Sequence, residues 1–172
     1  ATGELKPEAI DRVVRAIDGF LAVRDSLSTP DHPVVRTVAV ATSAARDARN
    51  AADFAARLRE RGIELSVIPG SREAALSFSG ASIDFPGERL MVVDVGGGST
   101  EVVMGTGGAE PLCAHSFNVG CRRVTEKFLA SDPPALEELA RARAWIREQM
   151  ASWFADQAKE AALLERVVAV AG

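Results

Sequence analysis

The chain has 172 residues, of which 47% are hydrophobic and 26% charged, and its formal net charge is −4. This composition is typical of a globular protein with a packed core, and the net acidity argues against a broad basic surface that would bind nucleic acid. The longest apolar runs are far shorter than the roughly 20 residues that a membrane span requires, so we expect a cytoplasmic protein without a membrane partner.

The first half of the chain alternates between helical and strand patterns. Apolar residues recur with helical spacing from Pro7 to about Ser28, and Asn50 to Arg61 has the same pattern. Two short apolar runs, Val34 to Ala41 and Ile63 to Ile68, predict strands. Ser71 to Phe78 predicts a helix capped by its first serine. This alternation favours an α/β fold in which helices connect the strands of a sheet.

The second half of the chain has a different pattern, which predicts four strands and one long helix. In chain order these are Leu90 to Val95, Glu101 to Met104, Leu112 to Phe117, a helix that opens after Ser131 and runs to about Lys159, and Val167 to Ala171. The two middle strands form an antiparallel hairpin. We therefore assign residues 1–88 to a first lobe and residues 89–172 to a second, and we expect the fold to be incomplete at both ends.

The strongest chemical signal is the run from Asp94 to Glu101, where an apolar strand leads into three glycines and two hydroxyl residues. Glycines let backbone N–H groups approach an anion closely. The predicted phosphate-binding residues of this run are Gly96, Gly97, Gly98, Ser99 and Thr100. Asp94 can bind a divalent metal through oxygen, and Glu101 can position water or metal. The alternative is a flexible glycine hairpin with solvated charges.

Two further polar residues follow predicted strands. Arg46 lies within one turn of a helix that begins near Thr42, where its planar guanidinium can bind phosphate oxygens. Glu73 lies at the start of the next helix, where it can orient and deprotonate water. The alternatives are a surface pair between Arg46 and Asp47, and an acidic residue that complements a helix dipole.

Together these motifs resemble the exopolyphosphatase / guanosine pentaphosphate phosphohydrolase family, a branch of the superfamily of sugar kinases, heat-shock ATPases and actin. The matching stretches include Ala41 to Ala44 with Arg46, Ile68 to Gly70 with Glu73, Val93 to Glu101, and Gly120 with Cys121. The resemblance implies a two-lobed ribonuclease H-like (actin-like ATPase) fold. The glycine/serine phosphate loop that the family carries on an N-terminal hairpin is not found in this sequence.

The resemblance also implies roles for the residues identified above. Glu73 is expected to be the catalytic base, Arg46 and the loop from Gly96 to Thr100 to bind phosphate, and Asp94 and Glu101 to serve Mg²⁺ (or Mn²⁺) and its water network. The expected reaction is removal of the terminal phosphate from polyphosphate, or of the 5′ terminal phosphate from guanosine pentaphosphate.

Two other functions stay open at this point. One is a kinase or ATPase of the same superfamily, and the other is a catalytically silent module that binds polyphosphate or an alarmone. The choice between polyphosphate and guanosine pentaphosphate, the activity of the 172-residue chain by itself, and the oligomeric state, with a homodimer as one option, are also left open.

Overall fold

The computed structural model describes residues 3–171. Its contacts divide the chain into two compact units, the first ending at Ile68 and the second beginning at Pro69. No helix within residues 3–171 is both long enough and apolar enough to cross a membrane. Gly172, the last residue of the predicted second lobe, lies outside the described residues.

The first unit contains three helices and a two-stranded parallel sheet. Its elements are α1 (Pro7–Leu27), β1 (Ala39–Ala41), α2 (Ser43–Arg46), α3 (Ala51–Arg59) and β2 (Leu65–Val67). The core of this unit is formed by buried side chains of α1 and α3 and of the segment before β2: Ile10, Val14, Leu58 and Ile63. The helical spacing of apolar residues therefore predicted α1 correctly, although Val13 and Phe20 of the same pattern are exposed.

The first strand is shorter than predicted. We expected Val34 to Ala41 to be extended, and β1 begins at Ala39. Val35 and Val38 are mostly exposed, and residues 33–38 pair with no strand in the described part of the chain. A β-branched run is favourable for a strand, but a strand also needs a neighbour to hydrogen-bond.

The second unit is built on one mixed sheet. After α4 (Gly70–Ala81) the chain forms β3 (Arg89–Val95), β4 (Thr100–Thr106), β5 (Pro111–Phe117), α5 (Cys121–Phe128), α6 (Leu136–Asp156), α7 (Ala158–Ala161) and β6 (Arg166–Ala171). The strand order is β5-β4-β3-β6, antiparallel except for the parallel pair β3 and β6. The predicted hairpin is confirmed, and the predicted long helix is found as α6 followed by the short α7.

Helices cover both faces of this sheet. On one face, Ala74 and Phe78 of α4 pack against Leu90, Val92 and Val103. On the other face, buried residues of the hairpin and the segment after it pack against the aromatic side chains of α6: Val102, Phe117, Val119, Trp145, Trp153 and Phe154. Side chains alternate between the two faces along a strand, so Asp94 and Glu101 are placed on the face that α4 covers.

The division of contacts differs from the predicted lobes in one respect. We placed residues up to 88 in the first lobe, but α4 packs on the sheet of the second unit, so the contacts divide the chain after Ile68. The predicted cap of α4 is also wrong. The N-cap residue is Pro69, which has no side-chain cap hydrogen bond, and Ser71 lies inside the helix.

Candidate active site

Three acidic side chains lie close together on the α4 face of the sheet. Glu73 is in the first turn of α4, and Asp94 and Glu101 are direct cross-strand partners in β3 and β4. Ser77 follows Glu73 by one helical turn, and its hydroxyl donates a 2.6 Å hydrogen bond to Oδ2 of Asp94. This bond joins the helix that carries Glu73 to the strand that carries Asp94.

Glu101 is the most buried of the three carboxyls, with 2% of its surface exposed. The Ser116 hydroxyl donates a 2.5 Å hydrogen bond to its Oε1. Burial raises the pKa of the Glu101 carboxyl, hydrogen bonds from Ser116 and Ser99 act in the opposite direction, and the negative charges of Glu73 and Asp94 raise it further. The structure therefore brings Glu73, Asp94 and Glu101 within electrostatic reach of one another.

The triple-glycine loop connects β3 to β4 and contacts the start of α5. The Gly96 carbonyl accepts a 2.9 Å hydrogen bond from the Cys121 amide, and the Gly97 carbonyl accepts one of 3.1 Å from the Arg123 amide. The Gly98 carbonyl accepts a 2.9 Å hydrogen bond from Nε of the Arg123 side chain. Three successive carbonyls of the loop therefore point toward α5.

The direction of these carbonyls fixes the direction of the amides. In a trans peptide the N–H points opposite to the C=O. The loop peptides are trans, because the cis bond found within residues 3–171 lies between Asp132 and Pro133. The amides of Gly97, Gly98 and Ser99 therefore point away from α5. They take no part in the described hydrogen bonds that hold the loop. Successive N–H groups directed to one side of a turn can bind an anion such as phosphate.

Close contact between α5 and the loop requires glycine at position 120. A Cβ atom at Gly120 would lie 2.5 Å from the Gly97 carbonyl oxygen and 2.6 Å from the Gly98 nitrogen. Real Cβ atoms do not approach backbone so closely, so a larger residue would force α5 and the loop apart. Gly120 thus allows the α5 amides to reach the loop carbonyls.

The two hydroxyl residues after the glycines differ in placement. The Ser99 side chain is buried and bonded to Glu101, while its backbone amide points away from α5, opposite to the Gly98 carbonyl. The Thr100 hydroxyl donates a 2.5 Å hydrogen bond to the Val119 carbonyl, on the side of the loop where α5 lies. The Thr100 side chain therefore stabilises the contact between the loop and the segment before α5, and phosphate binding by this side chain stays a prediction.

Arg46 lies in the first unit, at the end of α2. Its guanidinium donates a 2.9 Å hydrogen bond from Nη1 to the Ile68 carbonyl, which anchors the segment after β2. The side chain is half-buried. Because Glu73 and the loop belong to the second unit, a role for Arg46 at the same phosphate stays a prediction.

The donor set available for a metal ion is small. No group of three or more histidine, cysteine or acidic side chains in the described residues is arranged to hold an ion. Mg²⁺ is commonly bound by one or two carboxylates together with substrate phosphates and water. The neighbouring carboxyls of Asp94 and Glu101 fit this second arrangement, and binding of Mg²⁺ (or Mn²⁺) stays a prediction.

Three residues of the site were missed by the sequence analysis: Ser77, Ser116 and Arg123. Ser77 was identifiable, because it is one helical turn from Glu73. The contact of Ser116 could be predicted only from the register of β5, since Ser116 is paired with Glu101 across the strands. The contact of Arg123 with the loop carbonyl had no signal in the sequence.

Comparison with known proteins identifies the relatives of this chain. Exopolyphosphatase 2 of Mycobacterium tuberculosis is 40% identical in an alignment of 158 positions that covers 87% of this chain and 47% of that protein. Exopolyphosphatase 1 of Mycobacterium bovis is 32% identical in an alignment of 154 positions that covers 88% of this chain and 43% of that protein. The chain spans about half the length of the curated relatives it matches.

Solved structures agree with this result. The structure of an exopolyphosphatase from Cytophaga hutchinsonii aligns with a TM-score of 0.87 at 26% identity, covering 99% of this chain and 53% of its own. The crystal structure of an Aquifex aeolicus member of the Ppx/GppA family aligns with a TM-score of 0.67 at 31% identity. The alignment covers 88% of this chain and 48% of the Aquifex chain. These alignments confirm the predicted α/β fold class. The profile of the Ppx/GppA phosphatase family matches residues 1–172, and the chain belongs to that family.

Proposed function

We propose that the full-length protein is a phosphoanhydride hydrolase that releases terminal orthophosphate from inorganic polyphosphate. Hydrolysis of the 5′ terminal phosphate of guanosine pentaphosphate is the second reaction that the same chemistry allows, because both substrates end in a phosphoanhydride. Polyphosphate is ranked first because two relatives at 40% and 32% identity are named exopolyphosphatases.

The observation that carries this proposal is the position of Glu73 relative to the glycine loop. Glu73 is within electrostatic reach of Glu101, and Glu101 is bonded to the Ser99 side chain in the loop. The amides of Gly97, Gly98 and Ser99 all point away from α5. A carboxylate that can accept a proton and a group of N–H donors for an anion thus occur in one compact unit.

The loop amides are proposed to bind the oxygens of the terminal phosphoryl group. Phosphoryl transfer has a loose transition state whose charge is spread over the equatorial oxygens, so catalysis depends mainly on positioning and charge stabilisation. Fixed backbone N–H groups supply both without reorganising during the reaction. Phosphate binding by the guanidinium of Arg46, in the first unit, stays a prediction of the family resemblance.

Glu73 is proposed to act as the general base. It accepts a proton from a water molecule while the water oxygen bonds to the terminal phosphorus. The bond between that phosphorus and the bridging oxygen breaks, and the shortened chain leaves with the electron pair on its own terminal oxygen. Glu73 is half-buried and lies in the first turn of α4.

Asp94 and Glu101 are proposed to hold Mg²⁺ (or Mn²⁺) jointly with the substrate. The ion would supply positive charge to neutralise the phosphate oxygens. Ser77, Ser99 and Ser116 keep the two carboxylates in place by donating hydrogen bonds to them.

Phosphate release by the full-length protein tests this proposal. The substrates are polyphosphates of several lengths and guanosine pentaphosphate, each with and without Mg²⁺. We expect Mg²⁺-dependent release of orthophosphate from polyphosphate. Binding of polyphosphate without release would indicate a silent binding module, and transfer from a nucleotide to an acceptor would indicate a kinase.

A further inference from the structure

We propose that Arg123 is a positioning residue that fixes the direction of the Ser99 amide in the phosphate-binding loop, an inference that rests on the proposed function. Arg123 contacts the loop twice. Its backbone amide donates to the Gly97 carbonyl at 3.1 Å, and its side-chain Nε donates to the Gly98 carbonyl at 2.9 Å.

The loop needs such a contact because it is made of glycine. Glycine has access to more backbone conformations than any other residue, so a glycine-rich turn can rotate a peptide unit at low cost. Rotation of the peptide between Gly98 and Ser99 would exchange the outward N–H for a carbonyl oxygen. A phosphate would then meet a negative dipole in place of a donor. The Arg123 hydrogen bond holds the carbonyl on the α5 side and opposes this rotation.

The three loop peptides are held by different groups. The carbonyls of Gly96 and Gly97 accept from the backbone amides of residues 121 and 123, which any residue except proline supplies. The Gly98 carbonyl is held by a side chain. Substitution of Arg123 should therefore release the third peptide alone and leave the first two in place.

Arginine suits this role for a second reason. A guanidinium is always charged, and a hydrogen bond from a charged donor to a carbonyl polarises the peptide unit. Polarisation of the carbonyl strengthens the N–H on the other side of the same peptide as a donor. The Ser99 amide would thus be both oriented and strengthened by Arg123.

The neighbouring arginine provides a matched control. Arg122 carries the same charge one residue earlier, its side chain is exposed, and its Nε donates to Oε1 of Glu126 at 2.8 Å. Substitution of Arg122 removes the same positive charge near the loop without removing a loop hydrogen bond. Comparison of the two positions separates orientation of the peptide from the general effect of charge.

The first experiment is kinetic and uses the full-length protein with the substitutions Arg123→Met, Arg123→Lys and Arg122→Met. We expect R123M to lower kcat for orthophosphate release by roughly tenfold to hundredfold, because one donor to the transition state is misplaced. R122M should stay within about threefold of the wild type, since exposed ion pairs contribute little. R123K keeps the charge and one donor and should recover part of the loss.

The second experiment follows the amides directly by ¹⁵N–¹H NMR during titration with inorganic phosphate. In the wild type the amides of Gly97, Gly98 and Ser99 should all shift. In R123M the Ser99 response should be lost while the two glycine responses remain. A general structural role for Arg123 would change all three amides, or resonances throughout α5.

The inference is overturned if Ser99 responds to phosphate equally in R123M and the wild type, or if R123M and R122M have the same kcat. R123K keeps the test decisive if R123M does not fold. Failure of the proposed function has a different result, namely that the wild type releases no phosphate from any substrate. The amide titration still tests the role of Arg123 in that case.

Discussion

The Ser77 hydroxyl lies 2.6 Å from Oδ2 of Asp94 and donates a hydrogen bond to it. This contact fixes the distance between α4, which carries the proposed base, and β3, which carries a proposed metal ligand. The positions of the base and the metal ligand thus depend on a side chain that has no chemical role in the reaction.

Substitution of Ser77 by alanine should weaken this connection. The bond involves a charged acceptor in a half-buried position, so we expect the free energy of unfolding to fall by about 1–2 kcal/mol. The Mg²⁺ concentration needed for half-maximal activity should also rise. Urea unfolding and a Mg²⁺ titration measure the two effects. Ser79→Ala, at an exposed position of the same helix, is the control. Equal unfolding midpoints for S77A and S79A would contradict the prediction.

Substitution of Glu73 by glutamine should remove the general base while keeping the shape of the side chain. We expect kcat for phosphate release to fall by roughly 10²–10⁴-fold, with substrate affinity largely unchanged. Steady-state kinetics and equilibrium binding of polyphosphate measure the two quantities. Glu110→Gln, in the exposed turn between β4 and β5, is the control for loss of one carboxylate. Turnover in E73Q equal to that of E110Q would exclude Glu73 as the base.

The start of α6 predicts an acid-sensitive contribution to stability. Hydrogen bonds from the Ser131 hydroxyl, at 2.6 Å, and from the amides of Ala135 and Ala130 together lower the pKa of Glu138 to about 2. A carboxyl whose pKa is lowered by folding stabilises the native state when it is ionised. Its contribution is therefore complete above pH 4.5 and is lost as the pH falls through about 2.

The substitution Glu138→Gln tests this pH dependence. At neutral pH the wild type should have the higher urea midpoint, and the difference should shrink as the pH is lowered from 4.5 toward 2. Glu137→Gln removes an exposed carboxylate from the same helical turn and should show little difference at any pH. A difference between wild type and E138Q that is constant with pH would show that Glu138 acts through packing alone.

The contact between α5 and the loop predicts a strong effect of Gly120→Ala. The new Cβ would lie 2.5 Å from the Gly97 carbonyl oxygen, so we expect a loss of roughly 1–3 kcal/mol and a large loss of phosphate release. Gly80→Ala is the matched control. A Cβ at Gly80 meets no atom within 4 Å apart from its chain neighbours and the backbone of its own helix, and alanine should stabilise α4 by about 0.5–1 kcal/mol. Thermal unfolding of both variants measures the contrast, and similar stability of G120A and the wild type would show that α5 can move without cost.

Elements with strong internal signals were predicted well from the sequence. The helical spacing of apolar residues identified α1. The glycines at 105, 107 and 108, between two apolar strands, identified the hairpin of β4 and β5. The fold class and the family were also predicted correctly. Each of these features depends on the local order of residues along the chain.

Features that depend on pairing were predicted less well. β1 is shorter than its β-branched run because residues 33–38 have no neighbouring strand to hydrogen-bond among the described residues. The contacts of Ser116 and Arg123 depend on the register of β5 and on the approach of α5, which no local pattern encodes. The placement of α4 in the second unit likewise follows from the burial of Phe78 against the sheet, which only the three-dimensional contacts reveal.

The backbone contacts at the start of α5 have a consequence for sequence variation. The side chains of Cys121 and Arg122 are exposed, and the loop is contacted there through main-chain atoms. A library randomised at 121 and 122 should therefore yield many functional clones, whereas one randomised at 120 should return glycine almost alone. Substitution is tolerated at 121 and 122 because their main-chain atoms face the triple-glycine loop, and it is not tolerated at 120 because a side chain there would face the loop.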